Sequence, residues 1–235
     1  MSKILNFRKG HPFEIRSKSA TKAEITIYGT IGSSWFEDSI SAKSFSEELK
    51  KLDPTVNEID VRINSPGGDV FDGIAIYNRL KQHPAKITCY VDGLAASIAS
   101  IIALAGEEII MGEGALYMIH LPWTMAMGNR NELDNVVNRL MDVEEQMVTI
   151  YAKKCGLPRS EIKAMLETET WMDATQAKEN GFIDTVMAES TPIAASALGK
   201  ASWIHKIPKC RTQDDVAREE IEKLSSKISG FISRK

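Results

Sequence analysis

Apolar and polar residues alternate through EITIYG (24–29), IDVRIN (59–64) and KITCYV (86–91). A period of two puts successive side chains on opposite faces of a strand. EEIIM (107–111) and ALYMIH (115–120) predict two further short strands. Between these segments the pattern changes. SAKSFSEELKKL (41–52) predicts a helix, the turn signal SPGG (65–68) leads into a second helix reaching about Gln82, and Ser97 to Ala105 reads as a buried third. Strands separated by helices argue for βαβ units and an α/β domain with parallel pairing.

A longer helix follows. Asn129 and Glu132 form a cap pair, with Glu132 and Asp134 near the positive helix end. Lys153 and Lys154 occupy its last turn, and Gly156 with Pro158 stops it. Leu133, Val136, Leu140, Val143, Met147 and Ile150 recur at spacings of 3, 4, 3, 4 and 3. That period of 3.5 suits helices packed along their length. An ordinary core helix is the alternative. A reach of roughly 37 Å at 1.5 Å per residue favours one that protrudes and meets another subunit.

Composition narrows the setting. The 235 residues are 43% hydrophobic and 26% charged, as in ordinary globular proteins. A net charge of −3 gives no reason to expect nucleic acid as a partner. The run from Leu94 to Ala105 is too short to span a bilayer, which takes about 20 apolar residues, so no membrane is expected. The N-terminus lacks the apolar core of a signal peptide, and a cytoplasmic location is expected. Cys89, Cys155 and Cys210 form no CxxC pair, and His11, His83, His120 and His205 show no ligand spacing. A reducing compartment and no metal follow as expectations. Residues 1–22 carry six Lys and Arg against Glu14 alone, so 1–23 reads as a basic arm. Beyond 188, ESTPIAASALGKAS reads as a linker, and 212–232 as a short amphipathic helix with Ile221, Leu224, Ile228 and Phe231 on one face.

Three places carry candidate chemistry. VDGLAASIASIIALAG (91–106) is the least polar stretch of the chain, yet it holds Ser97 and Ser100. Ser97 falls where a strand gives way to a helix, and small neighbours permit a sharp turn there. Such a serine either caps the helix or is presented as a nucleophile near the positive helix end. RINSPGGDV (62–70) offers backbone N–H groups after a strand. Asp69 after the glycines repels phosphate and replaces the Lys of a P-loop, which leaves an oxyanion hole or a plain turn. His120 ends an apolar strand before Pro122. It reads as a hydrogen-bonded core residue or as the base a serine nucleophile needs.

INSPGGDVFDG, VDGLAASIAS, LYMIHLPW and TWMDATQAKENGFID stand in order and at the spacing of one family. Over residues 24–187 the chain resembles the ClpP-type serine peptidases. The resemblance implies a crotonase-like α/β fold of repeated β-β-α units with a long protruding helix. It implies homo-oligomeric rings stacked in pairs through the 130–155 helix, a peptidase domain over 24–188, and neither cofactor nor metal. By position, Ser97 is the nucleophile, His120 the general base, and Gly68 and Ile98 the oxyanion donors beside Gly67. The family's third residue is usually Asp, and here that position is Glu169. Asp173 is the rival, although DATQ reads as Asp173 capping the next helix with Gln176. SSWFEDSISAKSFSEEL (33–49) and IHLPWTMAMG (119–128) resemble the phage and prophage head maturation branch. That branch implies cleavage of capsid or scaffold protein in a bacterial host, with no unfolding ATPase expected. A degradative subunit serving an ATPase and a non-catalytic ring-forming assembly protein are the alternatives.

Overall fold

The computed structural model describes residues 13–32 and 39–187. Within them the chain runs β1 (Phe13–Ser17), β2 (Lys22–Tyr28), β3 (Thr30–Ile31), β4 (Ser39–Ile40) and α1 (Ala42–Leu49). It continues through β5 (Glu58–Ser65), α2 (Val70–Lys81), β6 (Lys86–Ala96), α3 (Ile98–Ala103), β7 (Glu108–Gly112) and β8 (Leu116–Ile119). It closes with α4 (Arg130–Cys155), α5 (Arg159–Glu167), β9 (Thr170–Met172), α6 (Ala174–Glu179) and β10 (Thr185–Met187). The main sheet has the order β1-β2-β5-β6-β7-β10, and β8 and β9 extend from the far end of β6. From β2 to β10 every neighbouring pair is parallel, as the strand–helix alternation predicts. This is the α/β fold expected from the resemblance.

Alternation explains the layering. Ile25 and Ile27, Ile59, Val61 and Ile63, Cys89 and Val91, and Ile109 and Met111 all turn to one face, where exposure is 1% or less. Each such side chain contributes about 1.5–3 kcal/mol by leaving water. The opposite face is polar. There Tyr28 Oη donates to Asp92 Oδ2 at 2.6 Å, and Arg62 Nε donates to the same oxygen at 2.8 Å. The Arg62 guanidinium also lies 5.0 Å over the Tyr90 ring.

Two elements depart from the expectation. The basic arm was expected over 1–23, but Phe13–Ser17 form an edge strand antiparallel to β2. Phe13 and Ile15 pack on the core, with Phe13 5.2 Å from the Phe45 ring. A count of charges averages over those two apolar residues, whose packing on the core decides the element. Residues 1–12 of the arm, the linker and the C-terminal amphipathic segment lie outside the described residues. The second departure is β6, which runs to Ala96 rather than stopping at Val91. Its first half pairs with β7, and Leu94–Ala96 pair with β8. DGLAA has no strand pattern of its own; a distant partner supplies its ladder.

Helix α4 has the expected capping box, with Asn129 and Glu132 bonded reciprocally, and a left-handed Gly156 at its end (φ 71°). Along the predicted seam Leu133 is exposed, Val136, Leu140, Val143 and Ile150 are half-buried and Met147 is buried, and residues off the seam complete the two faces of the helix. Met147, Val148 and Tyr151 are buried on the domain, whereas Leu133, Val137 and Met141 are 39%, 55% and 58% exposed. In the single chain the first half of the helix therefore presents an uncovered apolar stripe. No helix among the described residues is long and apolar enough to cross a membrane.

Candidate active site

The extended end of β6 delivers Ser97 to the surface of the sheet. Its backbone sits at φ 54°, ψ −128°, a region that costs a residue with a Cβ about 1–3 kcal/mol. The turn persists because both its sides are tied down. Ser97 N–H donates to the Met118 carbonyl at 2.9 Å, and the Ser97 carbonyl accepts from Ser100. Ser97 occupies the cap position of α3, but its side chain makes no capping hydrogen bond. Its Oγ instead lies 2.8 Å from His120 Nε2.

His120 is placed by β8, the strand that pairs with the far end of β6. The antiparallel neighbour β9 sets Thr170 opposite Ile119, which brings Glu169 to the other side of the imidazole. Glu169 Oε2 is 4.0 Å from His120 Nδ1, an ion-pair separation longer than a hydrogen bond. The carboxylate is 58% exposed, the imidazole 18%. Glu169 also has a positive φ of 48°, and its Oε1 accepts from Trp171 Nε1 at 3.1 Å. Asp173 is occupied elsewhere. It caps α6 by accepting from Gln176 N–H at 2.8 Å, while its own N–H donates to Gln176 Oε1 at 3.1 Å.

The SPGG turn closes the third side. Ser65 Oγ donates to the Gly29 carbonyl at 2.6 Å and accepts from Gly67 N–H at 3.1 Å. Ile31 N–H donates to the Gly67 carbonyl at 2.8 Å, and Asp69 N–H donates to the Ile31 carbonyl at 2.9 Å. This parallel bridge uses the groups on either side of Gly68 and leaves the Gly68 N–H pointing out of the ladder. Both glycines are required. A Cβ on Gly67 would stand 2.7 Å from Ser97 Cβ, and one on Gly68 only 2.0 Å from the Ile31 carbonyl oxygen. Gly67 thus contributes close approach rather than a free donor. Ile98 is the first residue of α3, so its N–H has no carbonyl one turn earlier in the helix.

These parts border a cleft of about 340 Å³ whose walls include Thr30, Val70, Met118, Pro122, Trp123 and Met147. Burial pushes the thiols of Cys89 and Cys155 up to about 12, so neither supplies a competing thiolate at neutral pH. Among the described residues no group of three or more His, Cys, Asp and Glu converges to hold a metal ion. The sequence reading missed Ser65 and the Met118 carbonyl as supports of the turn. Nothing in the sequence marks Trp171 either, whose indole N–H donates to Glu169 Oε1.

A strained serine at a strand-to-helix turn, bonded to a histidine on a parallel α/β sheet, defines a serine hydrolase. Comparison with known proteins gives the family. The model of the family described as Clp protease matches residues 10–190. The chain belongs to the Clp protease family, whose members are serine peptidases. It is 29% identical over 157 residues to an ATP-dependent Clp protease proteolytic subunit of Bacteroides fragilis, covering 64% of this chain and 74% of that one. It is 29% identical over 163 residues to proteolytic subunit 1 of Chlamydia caviae, covering 65% and 85%. A proteolytic subunit of Pleurastrum terricola is 33% identical over 135 residues, covering 56% and 68%.

Proposed function

We propose that this chain is a serine endopeptidase of the phage prohead type, using Ser97, His120 and Glu169 to cleave capsid or scaffold protein. The observation that carries the catalytic part is the 2.8 Å contact between His120 Nε2 and the Oγ of a strained Ser97. His120 takes the Ser97 proton as Oγ attacks the peptide carbonyl. The oxyanion settles on the N–H groups of Gly68 and Ile98. His120 then protonates the leaving amine, and water repeats the cycle on the acyl-enzyme. Glu169 offsets the charge that His120 gains. Rotation of its exposed side chain closes the 4.0 Å gap to a hydrogen bond.

Gly68→Ala tests the oxyanion part. The new methyl collides with the Ile31 carbonyl and turns the peptide that carries the donor. The expected outcome is a fall of about 10²–10³ in kcat, the usual cost of losing one oxyanion donor. Steady-state kinetics beside a thermal melt separates that loss from unfolding.

Residues 24–188 form the peptidase domain in this reading, with β1 added to its edge and 189–235 as an appendage. The stripe of Leu133, Val137 and Met141 supports assembly into rings paired through α4, since a face so apolar is normally covered. The segments SSWFEDSISAKSFSEEL and IHLPWTMAMG support the phage branch and a site of action in the host cytoplasm. The second reading is the one named by the relatives, a proteolytic subunit serving an ATPase. Incubation with a purified phage capsid or scaffold protein decides between them. Discrete fragments formed without nucleotide are the expected result. Short peptides released only with ATP and an unfolding ATPase overturn the phage reading.

A further inference from the structure

The least polar stretch of the chain carries two serines, and the catalytic reading uses one. Ser100 is fully buried. Its Oγ donates to the Ser97 carbonyl at 2.5 Å, and its N–H donates to the same oxygen at 3.0 Å. Ser100 Oγ also lies 2.7 Å from Tyr151 Oη. Since the Ser100 proton is committed to Ser97, Tyr151 is the donor in that contact. Tyr117 Oη donates to the Ser100 carbonyl at 2.5 Å. Both phenols are fully buried, and desolvation raises their pKa values, which keeps them protonated donors.

The chain of donors ends on a particular peptide group. The carbonyl of Ser97 and the N–H of Ile98 belong to one planar trans unit, so fixing the direction of the first fixes the direction of the second. Two donors converging on the Ser97 oxygen therefore aim the Ile98 N–H and tie down ψ of Ser97. A helix start supplies the backbone donor anyway; the hydroxyl is additional. It comes from a position where an alanine would fill an apolar helix without a polar atom.

We infer that Ser100, braced by Tyr151 of α4, is a positioning residue that orients the Ser97–Ile98 peptide and so the oxyanion donor. This rests on the reading of Ser97 as nucleophile and Ile98 as oxyanion donor. Neither Ser100 nor Tyr151 touches the substrate; they act through the backbone.

The experiment measures the reaction of the full-length protein with a fluorophosphonate probe, separating the binding constant KI from the chemical rate kinact. The phosphonyl oxygen occupies the same hole as a peptide oxyanion. Ser100→Ala is expected to lower kinact about tenfold, as for loss of a bond worth about 1.4 kcal/mol, and to leave KI unchanged. Tyr151→Phe is expected to lower kinact in the same sense by about threefold, and it serves if Ser100→Ala does not fold. The double variant should react about as slowly as Ser100→Ala, because both changes break one chain. Variants that melt at lower temperature yet keep the wild-type kinact overturn the inference and leave a packing role. Wild-type protein that takes no label at Ser97 instead overturns the underlying catalytic reading.

Discussion

Ser97→Ala is expected to abolish labelling by a fluorophosphonate and to lower peptide hydrolysis by about 10⁶-fold, the scale on which a nucleophile or its base is lost in this chemistry. Among the described residues, Ser97 Oγ is the hydroxyl that meets His120 Nε2, in a cleft also bordered by Gly67 and Gly68. His120→Ala should fall as far, since the two act as one unit. Mass spectrometry of the labelled protein reports the site directly. Label on another residue places the nucleophile elsewhere. Wild-type protein unlabelled both as free subunits and in rings leaves a ring-forming assembly protein in place of a protease.

Glu169→Ala is expected to lower kcat by about 10⁴, the scale found when the acid behind a catalytic histidine is removed. Asp173→Ala should leave kcat close to wild type and cost about 1 kcal/mol of stability, because Asp173 caps α6. The contrast decides which acid serves His120. Glu169→Asp is a sharper version of the same question. Shortening the side chain withdraws the carboxylate from an imidazole already 4.0 Å away, so it should be slower than wild type. Steady-state kinetics on one peptide substrate, with a melt of each variant, tests all three.

Much of the fold is legible in the chain because short-range pattern and burial agree. Ile25 and Ile27, Val61 and Ile63, and Cys89 and Val91 announce their shared face by alternation alone. The capping pair and the apolar repeat likewise announce the long helix α4, although not that Leu133 and, off the repeat, Val137 and Met141 are exposed within one chain. What escaped depends on distant partners. Leu94 to Ala96 become strand because Leu116 to Met118 lie alongside them. The three-residue strands β9 and β10 exist only through β8 and β7. Phe13 and Ile15 were hidden among basic residues. At the site, the motif order pointed to Ser97, His120 and Glu169; the folded chain brings the first two to one cleft and sets Glu169 behind the imidazole. No spacing reveals that Glu169 stops 4.0 Å short of His120 or that Trp171 holds its other oxygen.

Among the described residues, the two non-glycine positions with a positive φ, Ser97 and Glu169, flank the same imidazole. Were thermal endurance the only demand on this sequence, both positions would drift to glycine, which adopts such angles without strain. The inactive descendants would resist heat better than the parent. Under the proposed mechanism, stability and turnover therefore pull these two residues in opposite directions.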